Sequence, residues 1–287
     1  MRLRSFLFVP GDSDRKFARA KDCGADALIL DLEDSVAPSQ KAAARALTST
    51  LIDQDGKRDW SFFVRVNALD TGLTFDDMAA VVKPGLDGLL IPKANGAADI
   101  ERIGCDLDGL EARTGAPRGS VKFAVVATET PRAMFALGSY AAAHPRLIAL
   151  TWGAEDLSAA LGATDNKEPD GAWAFPYLVA RAQCLFAAAA AGVAAIDTVF
   201  VDFRDLDGLE RDCRRSRRDG FSGRLAIHPD QVATINRAYT PSEAEIERAR
   251  RIVAAFDDNP GAGTLAVDGK MVDAPHLKAA RKTLASL

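Results

Sequence analysis

The chain has 287 residues, 48% of them hydrophobic and 26% charged, and its 36 basic against 40 acidic residues leave a formal net charge of −4. A chain of this length buries about three quarters of its unfolded surface and needs neither disulfide nor structural metal to fold. Mild acidity excludes a nucleic-acid or anionic-membrane binder, since both require a positive field or a concentrated basic patch.

In chain order, short β-rich runs alternate with longer helical stretches. The first run, Ser5 to Val9, stops at Pro10-Gly11; the second, Ala27 to Leu32, stops at Glu33-Asp34; the third, Ser61 to Val66, stops at Asn67. Gly88 to Pro92, Val121 to Thr128, Leu147 to Trp152, Thr198 to Asp202 and Gly223 to Ile227 complete eight expected strands. Several are continuously apolar, as parallel strands covered on both faces should be, and the intervals between them fit a crossover helix. Ser39 is placed to cap the alanine-rich helix after Pro38, and Pro131 suits an early helical position after Thr130. Eight such units predict a (β/α)8 TIM barrel, a fold that takes about 250 residues.

The densest basic stretch, Arg211 to Arg218, is interrupted by aspartate and reads as a solvated helix face. The barrel is expected to close near Arg237, which divides the chain into a catalytic barrel, 1–240, and a C-terminal extension, 241–287. In the extension, Ser242 and Glu245 form a capping-box pattern, and 264–273 reads as a hairpin turning at Asp268-Gly269. Pro275 then opens an amphipathic helix through Leu277, Ala280, Leu284 and Leu287. The whole is a helix, a hairpin and a helix, serving as brace or lid.

Cys23, Cys105, Cys184 and Cys213 form no CxxC pair, and the spacing indicates reduced, mostly buried thiols. His144, His228 and His276 are too scattered for a histidine-rich metal site, so any metal must rely on carboxylates. The longest apolar run, Cys184 to Ile196, falls short of the roughly 20 residues a bilayer span needs. With no signal-peptide core at the N-terminus, the sequence reads as a soluble, cytoplasmic protein.

Barrel active sites are built from residues just past the strands. Here these are Asp12, Glu33, Asp34, Arg65, Asn67, Lys93, Glu129, Glu155, Asp156 and Asp202. Crowded carboxylates repel one another unless cations compensate, and oxygen ligands without histidine favour Mg²⁺, with Mn²⁺ as a second fit. Glu129 and Asp156 follow neighbouring strands, about 4.8 Å apart, and can share one ion; alternatively each is a carboxylate favoured at a helix start. Arg65, inside an apolar strand, calls for an anionic substrate or an internal salt bridge to Glu33 or Asp34. Lys93 sits where a Schiff-base lysine could stand, but the surrounding acid would keep it protonated. His228 reads as a histidine bonded to backbone. The serine-hydrolase elbow, the Walker pattern and Gly-x-Gly-x-x-Gly are absent.

The ordered segments Arg4-Ser5-Phe6-Leu7-Phe8-Val9-Pro10-Gly11, Leu30-Asp31-Leu32-Glu33-Asp34-Ser35-Val36, Val64-Arg65-Val66-Asn67, Ile91-Pro92-Lys93, Glu129-Thr130-Pro131, Trp152-Gly153-Ala154-Glu155-Asp156-Leu157, Ala195-Ile196-Asp197 and Ala226-Ile227-His228-Pro229 resemble the citrate lyase beta-subunit-like family, which includes malyl-CoA and citramalyl-CoA lyases. The resemblance implies Mg²⁺ on Glu129 and Asp156, a substrate carboxylate on Arg65, and a substrate-binding rim that includes Glu33, Asp34 and Lys93. It implies cleavage or formation of a carbon–carbon bond in a small 3-hydroxyacyl-CoA, with a CoA thioester and a 2-oxo acid as ligands. Asp268 to Pro275 resembles the family's C-terminal lid, which closes over a neighbouring subunit, so Asp273 is implied as acid/base in a homo-oligomer, trimer or hexamer. Because shorter relatives lack the lid, its presence favours free CoA thioesters over an acyl carrier protein. Two alternatives stand beside this: a citrate lyase beta subunit acting on citryl-acyl-carrier-protein, and a catalytically silent metabolite-binding barrel. The variable segment Asp165 to Phe175 is where substrate choice is expected to reside.

Overall fold

The computed structural model describes every residue except Met1, Asp55, Lys57, Ala143, Ser286 and Leu287, so the last position of the expected C-terminal stripe, Leu287, lies outside the described residues. Eight parallel strands, β1 (Ser5–Pro10), β2 (Ala27–Asp31), β3 (Ser61–Arg65), β4 (Gly88–Ile91), β5 (Lys122–Val126), β6 (Leu147–Thr151), β7 (Ala194–Asp197) and β8 (Gly223–Ala226), pair in sequence order. β1 pairs with β8 as well as β2, which closes the sheet into the expected (β/α)8 barrel.

Alternation along the strands divides the apolar residues into two populations. Phe6, Ile29, Phe63, Leu90, Ala124, Ala149, Ile196 and Leu225 fill the barrel interior, with Phe6 and Phe63 edge to face at 5.5 Å. Their neighbours Leu7, Leu28, Phe62, Leu89, Phe123 and Leu150 point outward and bury the helices' inner faces. Two steps beyond Ile29 and Phe63 on the inward parity lie Asp31 and Arg65, so the last inward layer of β2 and β3 is ionic.

The seventh strand departs from expectation. It runs through Ala194–Asp197, four residues before the Thr198 to Asp202 run. The alanine-rich helix Phe175–Ala191 ends at Gly192, which at φ 70 takes the left-handed conformation that stops a helix. The chain is therefore already extended at Ala194, and Asp202 falls in a turn, where its carboxylate accepts Arg204 N–H. Ser39 is also not a cap: Pro38–Gln40 forms a 3₁₀ turn that leads into Lys41–Gln54, so the hydroxyl lies inside the turn instead of at its start. Thr130 does cap the Pro131 helix, accepting Ala133 N–H at 3.0 Å. Along Leu206–Asp219, Arg214, Arg215 and Arg217 pair with Glu210, Asp212 and Glu245, as a solvated face requires.

Asp197 faces outward from β7 into a buried polar cluster. The Trp152 indole donates to it at 2.6 Å, and Arg224 and Arg181 stand 3.1 and 3.3 Å away. Burial opposes its ionisation, but Arg224 and Arg181 outweigh that and hold the carboxyl at about 2.

The extension begins with helix Glu243–Asp257, capped by the Ser242–Glu245 box. The hairpin of β9 (Thr264–Val267) and β10 (Lys270–Asp273) turns at Asp268-Gly269, and helix Ala274–Ala285 follows. Ala249, Ile252, Val267, Val272 and Ala280 form a small apolar cluster separate from the two barrel clusters. No helix among the described residues is long and apolar enough to cross a membrane.

Asp197→Asn removes one of the two carboxylates that meet the fully buried Arg224 and leaves Asp212 as the other, so we expect a loss of about 1–3 kcal/mol in urea denaturation at neutral pH. A carboxyl depressed in the folded state stabilises fully above its unfolded value, near 3.9, and loses that contribution as pH falls toward about 2. Wild-type stability should therefore drop across that acid window more steeply than the variant's; equal slopes would remove Asp197 as the source.

Candidate active site

Asp31 and Arg65 sit opposite each other in the β2–β3 register. The guanidinium grips Asp31 with two parallel bonds, Nε to Oδ1 and Nη2 to Oδ2, both 2.7 Å. The Asp31 carboxylate also accepts the backbone N–H groups of Glu33 and Ser35, at 2.8 and 3.0 Å, which folds the β2 loop back over the strand end. Burial works against both charges, but their pairing prevails: Asp31 is held below the usual carboxylate value and Arg65 is raised above its own. The remaining arm, Nη1, lies 3.0 Å from Glu33 Oε2 and 3.5 Å from Asp34 Oδ2, and the guanidinium rests over the Phe8 ring. The partner missing from the sequence reading is thus Asp31. A buried acid within Leu30-Asp31-Leu32 signals a need for charge compensation just as Arg65 does.

Lys93 joins the two halves of the rim. It follows β4 with φ 50, a left-handed conformation uncommon without glycine. Its backbone N–H donates to Glu129 Oε2 at 2.6 Å, while its ammonium lies 2.7 Å from Glu33 Oε1 and 3.2 Å from Asp156 Oδ1. Burial opposes the ammonium, yet Glu33 leads the acids that raise it above the ordinary lysine value. It is therefore a cation and not an amine nucleophile. Burial pushes Glu33 up to about 7 against the pull of Arg65 and Lys93, and pushes Glu129 up to about 8 with the charge of Asp156 adding to it.

Glu129 and Asp156 both contact Lys93, one at its backbone N–H and the other at its ammonium, and the charge of Asp156 acts on Glu129. Among the described residues no group of three or more His, Cys, Asp or Glu side chains is arranged to hold a metal. Two carboxylates, with water and substrate completing the shell, is the ordinary protein contribution to Mg²⁺. Gly153 makes room for this arrangement, because a Cβ there would lie 2.6 Å from Glu129 Cγ.

A groove of about 730 Å³ opens from Glu33 and Lys93 toward Lys41, Arg45, Asn67 and Thr71. Its outer cations are already engaged: Lys41 donates to the Leu32 and Glu33 carbonyls, and Arg45 pairs with Asp77. Asn67 is likewise structural, its amide donating to Leu32 O and Asp77. Glu155 accepts from Asn166 at 2.9 Å, which ties the 162–174 loop to the β6 end, where Trp173 packs on Trp152. His228 caps helix Pro229–Tyr239 by accepting Asp230 N–H and stacks on Phe203.

Six of the expected residues, Glu33, Asp34, Arg65, Lys93, Glu129 and Asp156, therefore meet in one cluster. Asp273 does not join them: among the described residues its side chain pairs with His276, at 2.5 Å, and with no barrel residue.

Residues 4–229 match the family described as HpcH/HpaI aldolase/citrate lyase. The chain is 37% identical to the (3S)-malyl-CoA thioesterase of Cereibacter sphaeroides, over 98% of this chain and 93% of that one. It is 35% identical to citrate lyase subunit beta of Escherichia coli, over 98% and 92%. The CitE protein of Mycobacterium tuberculosis, solved in complex with magnesium, acetoacetate and coenzyme A, superposes with a TM-score of 0.76 at 35% identity, covering 99% of this chain and 98% of that one. The match to the citrate lyase subunit takes in the extension too, so the presence of the extension does not by itself set this chain apart from that subunit.

Gly153→Ala should displace Glu129 while leaving the barrel folded, so Mg²⁺ affinity measured by calorimetry is expected to fall at least about tenfold, or about 1.4 kcal/mol. Wild-type affinity in a variant of unchanged melting temperature would show that Glu129 is not a ligand.

Proposed function

The chain belongs to the HpcH/HpaI aldolase/citrate lyase family, and on that premise we propose that it is a Mg²⁺-dependent carbon–carbon lyase that cleaves or forms a small 3-hydroxyacyl-CoA, malyl-CoA or citramalyl-CoA. The observation that carries this reading is the convergence of Glu129 and Asp156 on Lys93, beside an arginine that Asp31 holds rigid. Glu129 and Asp156 would hold the ion, which supplies Lewis-acid polarisation of the oxo-acid oxygen when bound.

The chain's own residues account for the remaining requirements. Arg65 and Lys93 provide positive charge for the substrate carboxylate, with Glu33 and Asp34 orienting both cations. In cleavage, a base removes the hydroxyl proton, the carbonyl of the 2-oxo acid forms, and the electron pair of the broken bond passes to the acyl α-carbon, which then takes a proton. Asp273 is the proposed base, delivered when the extension closes over a neighbouring copy, so the working species is a homo-oligomer.

The thioesterase relative favours a second reading in which the same site directs water to the thioester carbonyl. The products decide between the two. Incubation with malyl-CoA or citramalyl-CoA should release a 2-oxo acid and acyl-CoA, with chelator abolishing and Mg²⁺ restoring the activity. Malate and free CoA without oxo acid would select hydrolysis. Turnover confined to citryl-acyl-carrier-protein would select the citrate lyase subunit, and tight oxo-acid binding without turnover would leave a silent barrel.

Asp273→Asn is expected to lower kcat about a hundredfold or more, the scale of a lost general base, with Mg²⁺ and oxo-acid affinities near wild type. Unchanged kcat would reduce Asp273 to a helix cap.

A further inference from the structure

His276 lies in the first turn of helix Ala274–Ala285, three residues after Asp273. Its Nδ1 stands 2.5 Å from Asp273 Oδ1 and 3.3 Å from the Asp273 backbone nitrogen. Nδ1 either accepts the Asp273 N–H or donates to the carboxylate, and the shorter contact of 2.5 Å assigns the proton to Nδ1, which then donates to Oδ1. Both side chains are partly exposed, 33% for Asp273 and 47% for His276. The intervening Pro275 has no N–H to offer, so the main donors to this carboxylate come from His276, its imidazole foremost and its backbone N–H beside it.

Capping alone does not call for this pair. Asn or Ser at position 273 caps a helix as well as Asp, and a capping box asks of position 276 only an acceptor for the Asp273 N–H, not a donor to the Asp273 carboxylate. A carboxylate at the end of a hairpin otherwise samples several rotamers, and a base that must reach one proton gains from being fixed in advance.

We propose that His276 is the positioning residue for Asp273: its Nδ1–H fixes the carboxylate through Oδ1 and leaves Oδ2 to meet the substrate when the extension closes. This rests on the assignment of Asp273 as the base. The hydrogen bond from the ring also lowers the Asp273 carboxyl below its ordinary value, so the pair favours the ionised carboxylate at some expense of its basicity.

The test compares His276→Ala, His276→Asn and His276→Gln in the full chain with Asp273→Asn, using the thioester that the wild type turns over. His276→Ala should lower kcat about tenfold with KM and oxo-acid affinity unchanged, the pattern of an interaction made only in the transition state. His276→Asn places an amide nitrogen where Nδ1 stands and should recover most of the rate, whereas His276→Gln, one bond longer, should not. Full activity in His276→Ala, alongside a disabled Asp273→Asn, overturns the positioning role alone. Equal loss in the Ala and Asn variants overturns it in favour of the imidazole as the base. Turnover indifferent to Asp273→Asn removes the base and its holder together, and a wild type inactive on either thioester overturns the functional reading and this inference with it.

Discussion

Charge at the C-terminal rim of the barrel does not balance, and the local structure is organised around that imbalance. Among the described residues, Asp31, Glu33, Asp34, Glu129 and Asp156 gather around two cations, Arg65 and Lys93. Two like charges 4 Å apart repel by about 4 kcal/mol at the effective dielectric of a protein surface. The chain reduces this by giving Asp31 both parallel arms of Arg65, which leaves the excess on Glu33, Glu129 and Asp156. Burial drives Glu33 up to about 7 against the pull of Arg65 and Lys93, and Glu129 up to about 8 with the charge of Asp156 adding to it. On the proposed reading, a divalent cation held by Glu129 and Asp156 would offset this excess.

The barrel positions these charges through its two-residue period. The inward parity that fills the interior with Ile29 and Phe63 continues into Asp31 and Arg65, so the strands that make the apolar layers also place the ionic one on top. Lys93 reaches both sides because its left-handed backbone turns the N–H toward Glu129 while the side chain runs back to Glu33. Gly153 allows the next strand's loop to approach Glu129 more closely than any other residue would. Each of these is a backbone solution to a side-chain problem.

Most of this was legible in the sequence, for a physical reason. Buried parallel strands are continuous apolar runs, and the residue that ends such a run lies at the rim, so Glu33, Lys93, Glu129 and Asp156 could be found by where the apolar pattern stops. The failures mark its limits. β7 was placed four residues late because alanine serves helix and strand alike, and only the left-handed Gly192 separates the two. Asp31 was missed because it lies within the run, where pairing depends on register instead of on composition. His276 was passed over as scattered, although three residues on a helix start bring its ring to Asp273. The part played by Asp273 came from resemblance alone, since no periodicity in one chain reports what the extension covers.

The extension has its own apolar cluster, and a charged pair, Arg217 with Glu245, ties its first helix to the barrel. Exposed ion pairs contribute at most about 1 kcal/mol, so this tie resists movement of the extension only weakly. On the proposed reading, the groups that bind stand on the rigid barrel and the group that moves the proton stands on the extension. Lyase and thioesterase chemistry then differ little at the rim, because both begin with the same carboxylate and the same oxygen held beside Arg65. They differ in which hydroxyl the base reaches: that of the substrate, or that of a water admitted beside the thioester. A closed extension that excludes water favours cleavage of the carbon–carbon bond, and one that admits water favours hydrolysis. That places the choice of reaction in the extension and its fit over a neighbouring copy, where a carboxylate fixed in one rotamer has more effect than any change among the barrel's own acids.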